Sequence, residues 1–269
     1  LTAPPDRIAL PMTLMGITLG LALATKWSAV ALLGLIGLAL VWTFITLGRT
    51  APDVASAREA RLAYLRWTPV GLVLLPALVY LASFTHFFLT GHTWSDFVDL
   101  HGAMLTYHRE LGTIHSDSSV WWQWPLALQP VWYYINEGVD TGAYILTNGN
   151  VLLYWPMVVA VLWLAIDWWG RRPAALTVLL IGFFGQWLPW AFSPRGTFVY
   201  HFLPVVPFGC IAIAWTMIGA WNRGGWWRAI AFAYGLAVAA TFAFFYPVYT
   251  AMPITADALD LRLWLGSWR

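Results

Sequence analysis

The sequence predicts a polytopic, all-α membrane protein with about seven transmembrane helices. Of its 269 residues, 60% are hydrophobic and only 10% are charged, whereas roughly 25% are charged in an ordinary soluble domain. Runs without Asp, Glu, Lys or Arg repeatedly reach the length of about 20 residues that crosses a bilayer. These runs are residues 8–25, 27–48, 67–89, 141–166, 173–194, 196–222 and 229–256. Each is expected to cross as a helix, because a helix satisfies its own backbone groups in lipid.

Three regions follow one another along the chain. Residues 1–89 hold three predicted transmembrane helices, and the inner loop between the second and third is expected to form a short interfacial helix of its own. Residues 90–149 form a long outer segment with an interfacial helix and a His/Trp motif. Residues 150–269 form a predicted C-terminal four-helix transmembrane region with brief connections. The long outer segment is too short for a typical independent domain.

The positions of the basic residues predict the orientation of the helices. With the N-terminus in the cytoplasm, nine arginines lie inside, whereas only Lys26, Arg109, Arg195, Arg262 and Arg269 lie outside. The reverse orientation would violate the positive-inside rule. The outer segment and the turns at Lys26 and Arg195 therefore share the outer face.

Two whole-chain counts narrow the function classes. The net charge is +2 and the basic residues are scattered, so no stripe for nucleic acid exists. Cys210 is the single cysteine and lies inside an apolar run, so it cannot pair within this chain.

The outer segment carries one apolar stripe at helical spacing. Its members are Phe97, Leu100, Met104, Tyr107, Leu111 and Ile114. Ser95 and Asp96 are expected to start this helix. His101, His108 and His115 flank the stripe at seven-residue intervals, about 10 Å apart on a helix, which disfavours a shared metal ion. They are either interfacial histidines bonded to backbone or water, or, for His108 and His115, substrate contacts.

Two outer cations and a tryptophan cluster each have two interpretations. Lys26 either extends its ammonium group to the membrane interface or binds a lipid phosphate as a point charge. Arg195 could bind the same phosphate through two hydrogen-bond donors. Trp121, Trp122 and Trp124 either belong to an interfacial aromatic belt or stack on a sugar ring.

The stretch "YHRELGTIHSDSSVWWQWP" resembles the C-terminal part of the protein O-mannosyltransferases, where an outer loop has a pattern like YHxxLxxxHPYSSxWWxWP. The matching residues are Tyr107, His108, Leu111, His115, Ser118, Ser119, Trp121, Trp122, Trp124 and Pro125. "QPVWYY", "GLALATKWS" and "RGTFVYHFLPVVPF" extend the resemblance over nearly the whole chain. Ser116 and Asp117 replace the family's Pro–Tyr.

The resemblance implies the fold and the reaction. The fold would be the C-terminal part of a type C glycosyltransferase with about four more helices before Leu1, where the catalytic acidic pair is expected. The family transfers mannose, with inversion, from dolichyl- or polyprenyl-phosphate mannose to Ser or Thr of exported proteins. A bacterial-type member in the plasma membrane, active on the extracytoplasmic face, is expected because no β-trefoil module is present. Neither a cofactor nor a metal is expected, since the donor is a substrate.

The resemblance also implies which residues form the site. The lipid phosphate is expected to contact Lys26, Arg195, Tyr200 and His201. The sugar and acceptor cleft is expected to include Tyr107, His108, His115, Ser118, Trp121, Trp122 and Trp124. The expected partners are the lipid-linked donor, exported acceptor proteins and membrane lipid.

Two other functions fit the same residues. One is a related lipid-linked sugar transferase that acts on lipid A or a glycan. The other is a membrane scaffold or lipid-binding subunit without catalytic carboxylates.

Overall fold

The computed structural model describes residues 7–110, 115–171, 173–193 and 196–269, with only the backbone described at positions 50, 108, 109, 171 and 174. The chain divides into two compact units, Leu1–Glu110 and Leu111–Arg269. The predicted outer segment, residues 90–149, is thereby split between them.

The first unit is helical throughout its described part. Its helices are α1 (Ala9–Thr25), α2 (Ala29–Thr50), α3 (Val54–Pro69), α4 (Leu75–Ser83), α5 (Thr85–Leu89) and α6 (Trp94–Glu110). A π-helical turn, Val70–Leu74, joins α3 to α4, so that Val54–Ser83 is one helix of 30 residues. The predicted helix in the inner loop is present, but the prediction that it ends before Trp67 was wrong, and its interfacial position stays a prediction. The charged first turns of α3 continue directly into the apolar part, because Pro69 is accommodated by the π-helical turn that follows it.

Glycines allow α1 to approach the α3–α4 helix closely. A Cβ atom at Gly16 would lie 2.8 Å from the Cβ of Leu75, and one at Gly20 would lie 2.6 Å from the Cβ of Val79. From the other side, a Cβ at Gly71 would lie 2.8 Å from the Met12 carbonyl oxygen. Gly16 and Gly20 form the small-xxx-small spacing that brings helix backbones together in membranes.

Helix α6 begins with a reciprocal cap. The Thr93 N–H donates to Asp96 Oδ2 at 2.6 Å, and the Asp96 N–H donates to Thr93 Oγ1 at 3.3 Å. The predicted start was correct to within two residues. Of the three spaced histidines, His101 and His108 lie on α6, but His115 lies in a turn beyond it. The prediction that one helix carries all three was therefore wrong.

The second unit combines helices with a hairpin. Its elements are β1 (Trp132–Glu137), β2 (Gly142–Leu146), α7 (Val151–Arg171), α8 (Ala174–Trp187), α9 (Val206–Arg223), α10 (Gly225–Tyr249) and α11 (Ala256–Asp260). Short 3₁₀ turns lie at Trp121–Gln123, Leu188–Phe192, Val199–Phe202 and Gly266–Trp268. Two predicted spans thus start too early: residues 141–166 begin with β2, and residues 196–222 begin with an extended stretch and a 3₁₀ turn.

The hairpin was not predicted. Strands β1 and β2 pair antiparallel from Glu137↔Gly142 to Trp132↔Leu146, and the register shifts between Trp132 and Tyr134, which leaves Tyr133 as a bulge. On its other edge, β2 makes a bridge in which Gly142 and Ile254 exchange hydrogen bonds of 2.8 and 2.9 Å. Alternate β2 residues are buried, as expected for a strand with one face on a core.

The core of the second unit is rich in aromatic side chains. Its largest fully buried side chains include Trp124, Phe183, Phe202, Phe245 and Trp268. The indole N–H of Trp268 donates to the Ala127 carbonyl at 2.6 Å, a contact between residues 141 apart in sequence. Trp268 therefore packs against the inner side of the loop that carries the tryptophan motif.

Five helices of the described chain are long and apolar enough to cross a membrane. They are Ala29–Arg49, Val54–Ser83, Val151–Gly170, Ala175–Phe192 and Gly225–Tyr249. Helix α1 is apolar but shorter, at 17 residues. The prediction of a polytopic helical membrane protein is confirmed, whereas the count of seven spans stays a prediction.

Candidate functional site

The predicted site residues fall in different parts of the structure. Lys26 and Tyr107 are exposed on the first unit. The side chain of His108 and the whole of Arg195 lie outside the described residues. The predicted meeting of Lys26 and Arg195 around one phosphate therefore stays a prediction. The remaining site residues belong to the second unit.

A tight turn fixes His115. The His115 N–H donates to Ser118 Oγ at 3.0 Å, and the Ser118 N–H donates to the His115 carbonyl at 2.9 Å. The Asp117 N–H donates to His115 Nδ1 at 3.2 Å, so the neutral ring carries its proton on Nε2. The His115 side chain is 62% exposed. The turn thus presents an imidazole N–H to the outside.

Asp117 ties this turn to the hairpin. Its side chain is largely buried, and Oδ2 accepts a hydrogen bond of 3.1 Å from the Trp132 N–H at the start of β1. Oδ1 accepts from the Ser116 hydroxyl at 3.0 Å. Sequence reasoning treated Asp117 only as a departure from the family pattern. The structure gives it a specific task, which is to hold the His115 turn against β1.

Paired hydrogen bonds join the tryptophan motif to the segment after Arg195. The Ser119 N–H donates to the Thr197 carbonyl at 2.7 Å, and the Thr197 hydroxyl donates to the Ser119 carbonyl at 2.6 Å. Both residues are buried. Two motifs that are 78 residues apart in sequence are therefore joined inside one unit.

Four rings form a continuous row on this unit, which we call the aromatic row: His115, Phe198, Tyr200 and Tyr133. The centroids of His115 and Phe198 are 6.0 Å apart, those of Phe198 and Tyr200 are 5.2 Å apart, and those of Tyr200 and Tyr133 are 6.3 Å apart. The two tyrosine contacts are stacked. Tyr133 is 54% exposed and His115 is exposed as well. Aromatic faces of this kind can pack against the apolar face of a sugar.

Tyr133 supplies a hydroxyl group at the end of the aromatic row. Burial, and then the neighbouring phenol of Tyr200, raises the pKa of Tyr133. The phenol therefore stays protonated at neutral pH and can donate a hydrogen bond.

Trp124 and His201 lie beneath the aromatic row. The Trp124 ring is fully buried, and its indole N–H donates to Ser119 Oγ at 3.0 Å. His201 is also buried and packs between Trp124, at 6.0 Å, and Trp190, at 4.3 Å. A ring without exposed surface presents no face to a sugar. The packing therefore supports a positioning role for Trp124 rather than the predicted direct contact with substrate.

The other two tryptophans of the motif differ in exposure. Trp121 is partly buried, and its carbonyl accepts the indole N–H of Trp187 at 2.8 Å. Trp122 is half exposed. Either the interfacial or the sugar-stacking interpretation fits Trp122, and Trp121 anchors the turn to α8.

An apolar cavity of about 260 Å³ borders Tyr200 on the side of α7 and α10. Its lining residues are Ile145, Leu146, Thr147, Gly149, Tyr154, Val199, Tyr200, Leu203 and Tyr249. Tyr249 closes one wall by donating its hydroxyl to the Gly149 carbonyl at 2.8 Å. Gly149 has φ +64, a conformation that favours glycine at this junction.

A relay of hydrogen bonds lies beside Lys26 in the first unit. The Trp27 indole N–H donates to the Tyr80 hydroxyl at 2.9 Å, and that hydroxyl is 2.7 Å from His101 Nε2. His101 Nδ1 is 2.7 Å from the Phe97 carbonyl, which can only accept. In the neutral ring Nδ1 therefore donates and Tyr80 donates to Nε2. The relay connects the turn after Lys26 with α4 and α6, and it fits the expectation that His101 bonds to backbone.

Among the residues that the structure describes, no group of three His, Cys, Asp or Glu side chains is arranged to hold a metal ion. Sequence reasoning missed Phe198 and Tyr133 as members of the site, although both lie within stretches that it quoted. The hydrogen bonds between Trp27, Tyr80 and His101 were not predicted either, because these residues lie far apart in the sequence and form no local pattern.

Two family models together match almost the whole chain. The one described as the C-terminal four TMM region of protein-O-mannosyltransferase matches residues 93–268. The one described as dolichyl-phosphate-mannose-protein mannosyltransferase matches residues 8–90.

Two relatives of known name come from Mycobacterium and Corynebacterium. A polyprenol-phosphate-mannose–protein mannosyltransferase of Mycobacterium tuberculosis is 28% identical, covering 94% of this chain and 56% of the relative. The protein of the same name from Corynebacterium glutamicum is 25% identical, covering 94% of this chain and 57% of its own length. The chain thus spans about half the length of these relatives.

One solved structure shares the fold. It is the Saccharomyces cerevisiae protein O-mannosyltransferase Pmt1–Pmt2 complex bound to the sugar donor, with a TM-score of 0.54 and 20% identity. The match covers 66% of this chain and 27% of the yeast chain.

Proposed function

The chain belongs to the protein O-mannosyltransferase family, and from this premise we propose that the complete protein transfers mannose from polyprenyl-phosphate mannose to serine or threonine hydroxyls of exported proteins. The names of the relatives from Mycobacterium and Corynebacterium support the donor and a protein acceptor. The single structural observation that carries the proposal is the aromatic row, joined by Ser119 and Thr197 to the segment that follows Arg195.

The proposed division of labour assigns the acid–base chemistry to residues upstream of this chain. There, by the family resemblance, a carboxylate takes the proton from the acceptor hydroxyl as it attacks C1 of mannose. Lys26 and Arg195 would stabilise the phosphate as it leaves with the negative charge. His115, Tyr200 and Tyr133 would border the sugar and the acceptor.

The proposal includes a location. Apolar helices of spanning length make the protein an integral membrane protein. We place it in a bacterial plasma membrane with the aromatic row on the extracytoplasmic side, because the positive-inside rule puts most arginines on the other face.

Lys26 offers a direct test. Replacing Lys26 with Gln in the complete protein should lower turnover roughly hundredfold, as the loss of one charge-stabilising donor does in other enzymes, and Arg195→Ala should act in the same direction. Lys26→Arg keeps the charge and should retain more activity than Lys26→Gln. Arg66→Gln removes a charge predicted on the inner face and serves as the matched control. Wild-type turnover in both Lys26→Gln and Arg195→Ala would refute the phosphate roles.

The acceptor class needs a separate assay. Purified protein supplied with radiolabelled polyprenyl-phosphate mannose should move the label into a Ser/Thr peptide. Label that enters lipid A or a glycan would favour the related lipid-linked sugar transferase. No transfer to any acceptor would favour a non-catalytic scaffold.

A further inference from the structure

Strand β1 has an open edge. Gly142 exchanges its hydrogen bonds with Ile254, so its N–H and C=O point away from β1. In an antiparallel pair, the backbone groups of two directly opposed residues either both face each other or both face away from each other, and Glu137 is opposite Gly142. Glu137 and, two residues earlier, Ile135 therefore direct their N–H and C=O groups away from β2. No hydrogen bond from the described chain reaches these groups.

The edge has only part of the protection that an exposed strand normally carries. Proteins blunt such edges with charged residues, above all lysine, and with proline, bulges or a covering element. Strand β1, Trp-Tyr-Tyr-Ile-Asn-Glu, has the bulge at Tyr133 and the charge of Glu137 at its end but neither lysine nor proline. Tyr133, Tyr134 and Ile135 are exposed to 43–55%. The edge thus combines unpaired backbone groups with large apolar side chains, which is the combination that a pairing partner would cover.

The edge leads directly to the aromatic row. The bulged residue Tyr133 stacks on Tyr200, and bulges often occur next to active sites, where they redirect one side chain. Ile135 follows two residues later, about 7 Å along the strand. A chain paired with β1 would therefore pass within a few residues of the proposed sugar position.

We propose that the outer edge of β1 binds the acceptor polypeptide as an added antiparallel or parallel strand, which brings its serine or threonine to the aromatic row. The inference rests on the proposed function and adds to it the mode of acceptor binding. An extended peptide supplies alternating N–H and C=O groups for Ile135 and Glu137, the recognition mode known as β-strand addition. In this mode main-chain hydrogen bonds supply the affinity, so a peptide needs no particular side-chain sequence to pair with β1.

The charge of the hairpin favours a peptide over a lipid surface. Glu137 and Asp140 are the only charged residues between Trp132 and Leu146. Two carboxylates repel anionic headgroups and attract lysine or arginine in a peptide. Lipid headgroups also cannot supply the regular alternation of donors and acceptors that a strand edge needs.

The test measures the KM for an acceptor peptide in the complete protein. Ile135→Pro removes the outward N–H, and a proline is tolerated on an edge strand. Ile135→Ala removes most of the side chain but keeps the N–H, and it is the matched control. The KM for a Thr-containing peptide of about eight residues should be roughly tenfold higher in Ile135→Pro than in Ile135→Ala, as the loss of one main-chain hydrogen bond predicts.

A second measurement leaves the protein unchanged. The same peptide is N-methylated at one backbone position at a time and assayed with the wild-type protein. Methylation should raise KM at every second position on one side of the threonine and have little effect at the positions between. This alternation is specific to strand pairing and holds even if Ile135→Pro fails to fold.

The outcomes separate the two proposals. Equal KM values for Ile135→Pro and Ile135→Ala, or no alternation with N-methylated peptides, would overturn the strand-addition proposal while transfer itself still supports the proposed function. A changed KM for the lipid donor with an unchanged KM for the peptide would assign the edge to lipid and also overturn it. A wild-type protein that transfers mannose to no peptide would overturn the proposed function and, with it, this inference.

Discussion

Replacing Tyr80 with Phe should destabilise the first unit, because one hydroxyl group serves two partners. That hydroxyl accepts from the Trp27 indole at 2.9 Å and contacts His101 Nε2 at 2.7 Å. The substitution keeps the ring, which lies 5.3 Å from Phe84 and 5.7 Å from His101. The change therefore removes hydrogen bonds without creating a large cavity.

The expected magnitude follows from the two lost hydrogen bonds. Each contributes about 0.5–1.5 kcal/mol net, and partly buried partners left unsatisfied increase the cost. Together they give a loss of about 1–3 kcal/mol in the free energy of unfolding. In a double-mutant cycle with Trp27→Phe, the two changes should be non-additive by about 0.5 kcal/mol or more, because the residues share one bond.

Thermal unfolding of the purified protein in detergent measures this loss. Tyr246→Phe is the matched control, because Tyr246 is exposed on α10 and belongs to the other unit. If Tyr80→Phe unfolds at the same temperature as Tyr246→Phe, the relay carries no stabilising free energy and the argument from its geometry is wrong.

Two further predictions concern helix packing and helix capping. Gly20→Ala should cost about 1–3 kcal/mol of unfolding free energy through overpacking, since its Cβ would lie 2.6 Å from the Cβ of Val79; thermal unfolding checks this. The backbone N–H and then the hydroxyl of Thr93 lower the pKa of Asp96 below 3.8. The ionised Asp96 cap therefore stabilises the first turn of α6 fully above pH 3.8, and this stabilisation is lost as the pH falls through the lowered pKa. Amide exchange of that turn should speed up with acid in the wild-type protein. In Asp96→Asn the exchange should no longer depend on acid in this way.

Each of these predictions has an internal control. Gly34 lies on α2 with no atom within 4 Å of its would-be Cβ, so Gly34→Ala should be neutral or slightly stabilising. Equal losses in the two alanine variants would contradict the packing argument. Asp53 caps α3 through Ser56 and should keep its acid dependence in Asp96→Asn. If the α3 cap loses that dependence as well, the effect is not local.

Hydropathy predicted the helices because the charge-free runs are long, but it could not place their ends. Residues 141–166 form one such run, yet β2 occupies its beginning and α7 starts only at Val151. The period of two appears only in the burial of the folded strand, where alternate residues of β2 face the core. Hydropathy did not show it, because "GAYIL" has no charged residue and no polar alternation. At α3 the error had the opposite sign. The charged residues up to Arg66 suggested that one helix ends and another begins there, but the helix continues through Pro69 and the π-helical turn.

The motifs of the candidate site could be recognised in the sequence, but the contacts between them in the folded protein could not be predicted from it. The contact of Ser119 with Thr197 and the stack of Tyr133 on Tyr200 join residues far apart along the chain, and no local periodicity encodes such distances. Exposure was also hidden: Trp122 and Trp124 are two residues apart in one motif, and only the first reaches the surface.

The position of Trp268 has a consequence for the stability of the tryptophan motif. Its indole fills a fully buried site against Ala127, so this side chain forms part of the packing under the loop, although the two residues lie 141 positions apart in sequence. A small residue at position 268 would leave a cavity there, and the order of the loop therefore depends on a residue that lies far from the motif in the sequence.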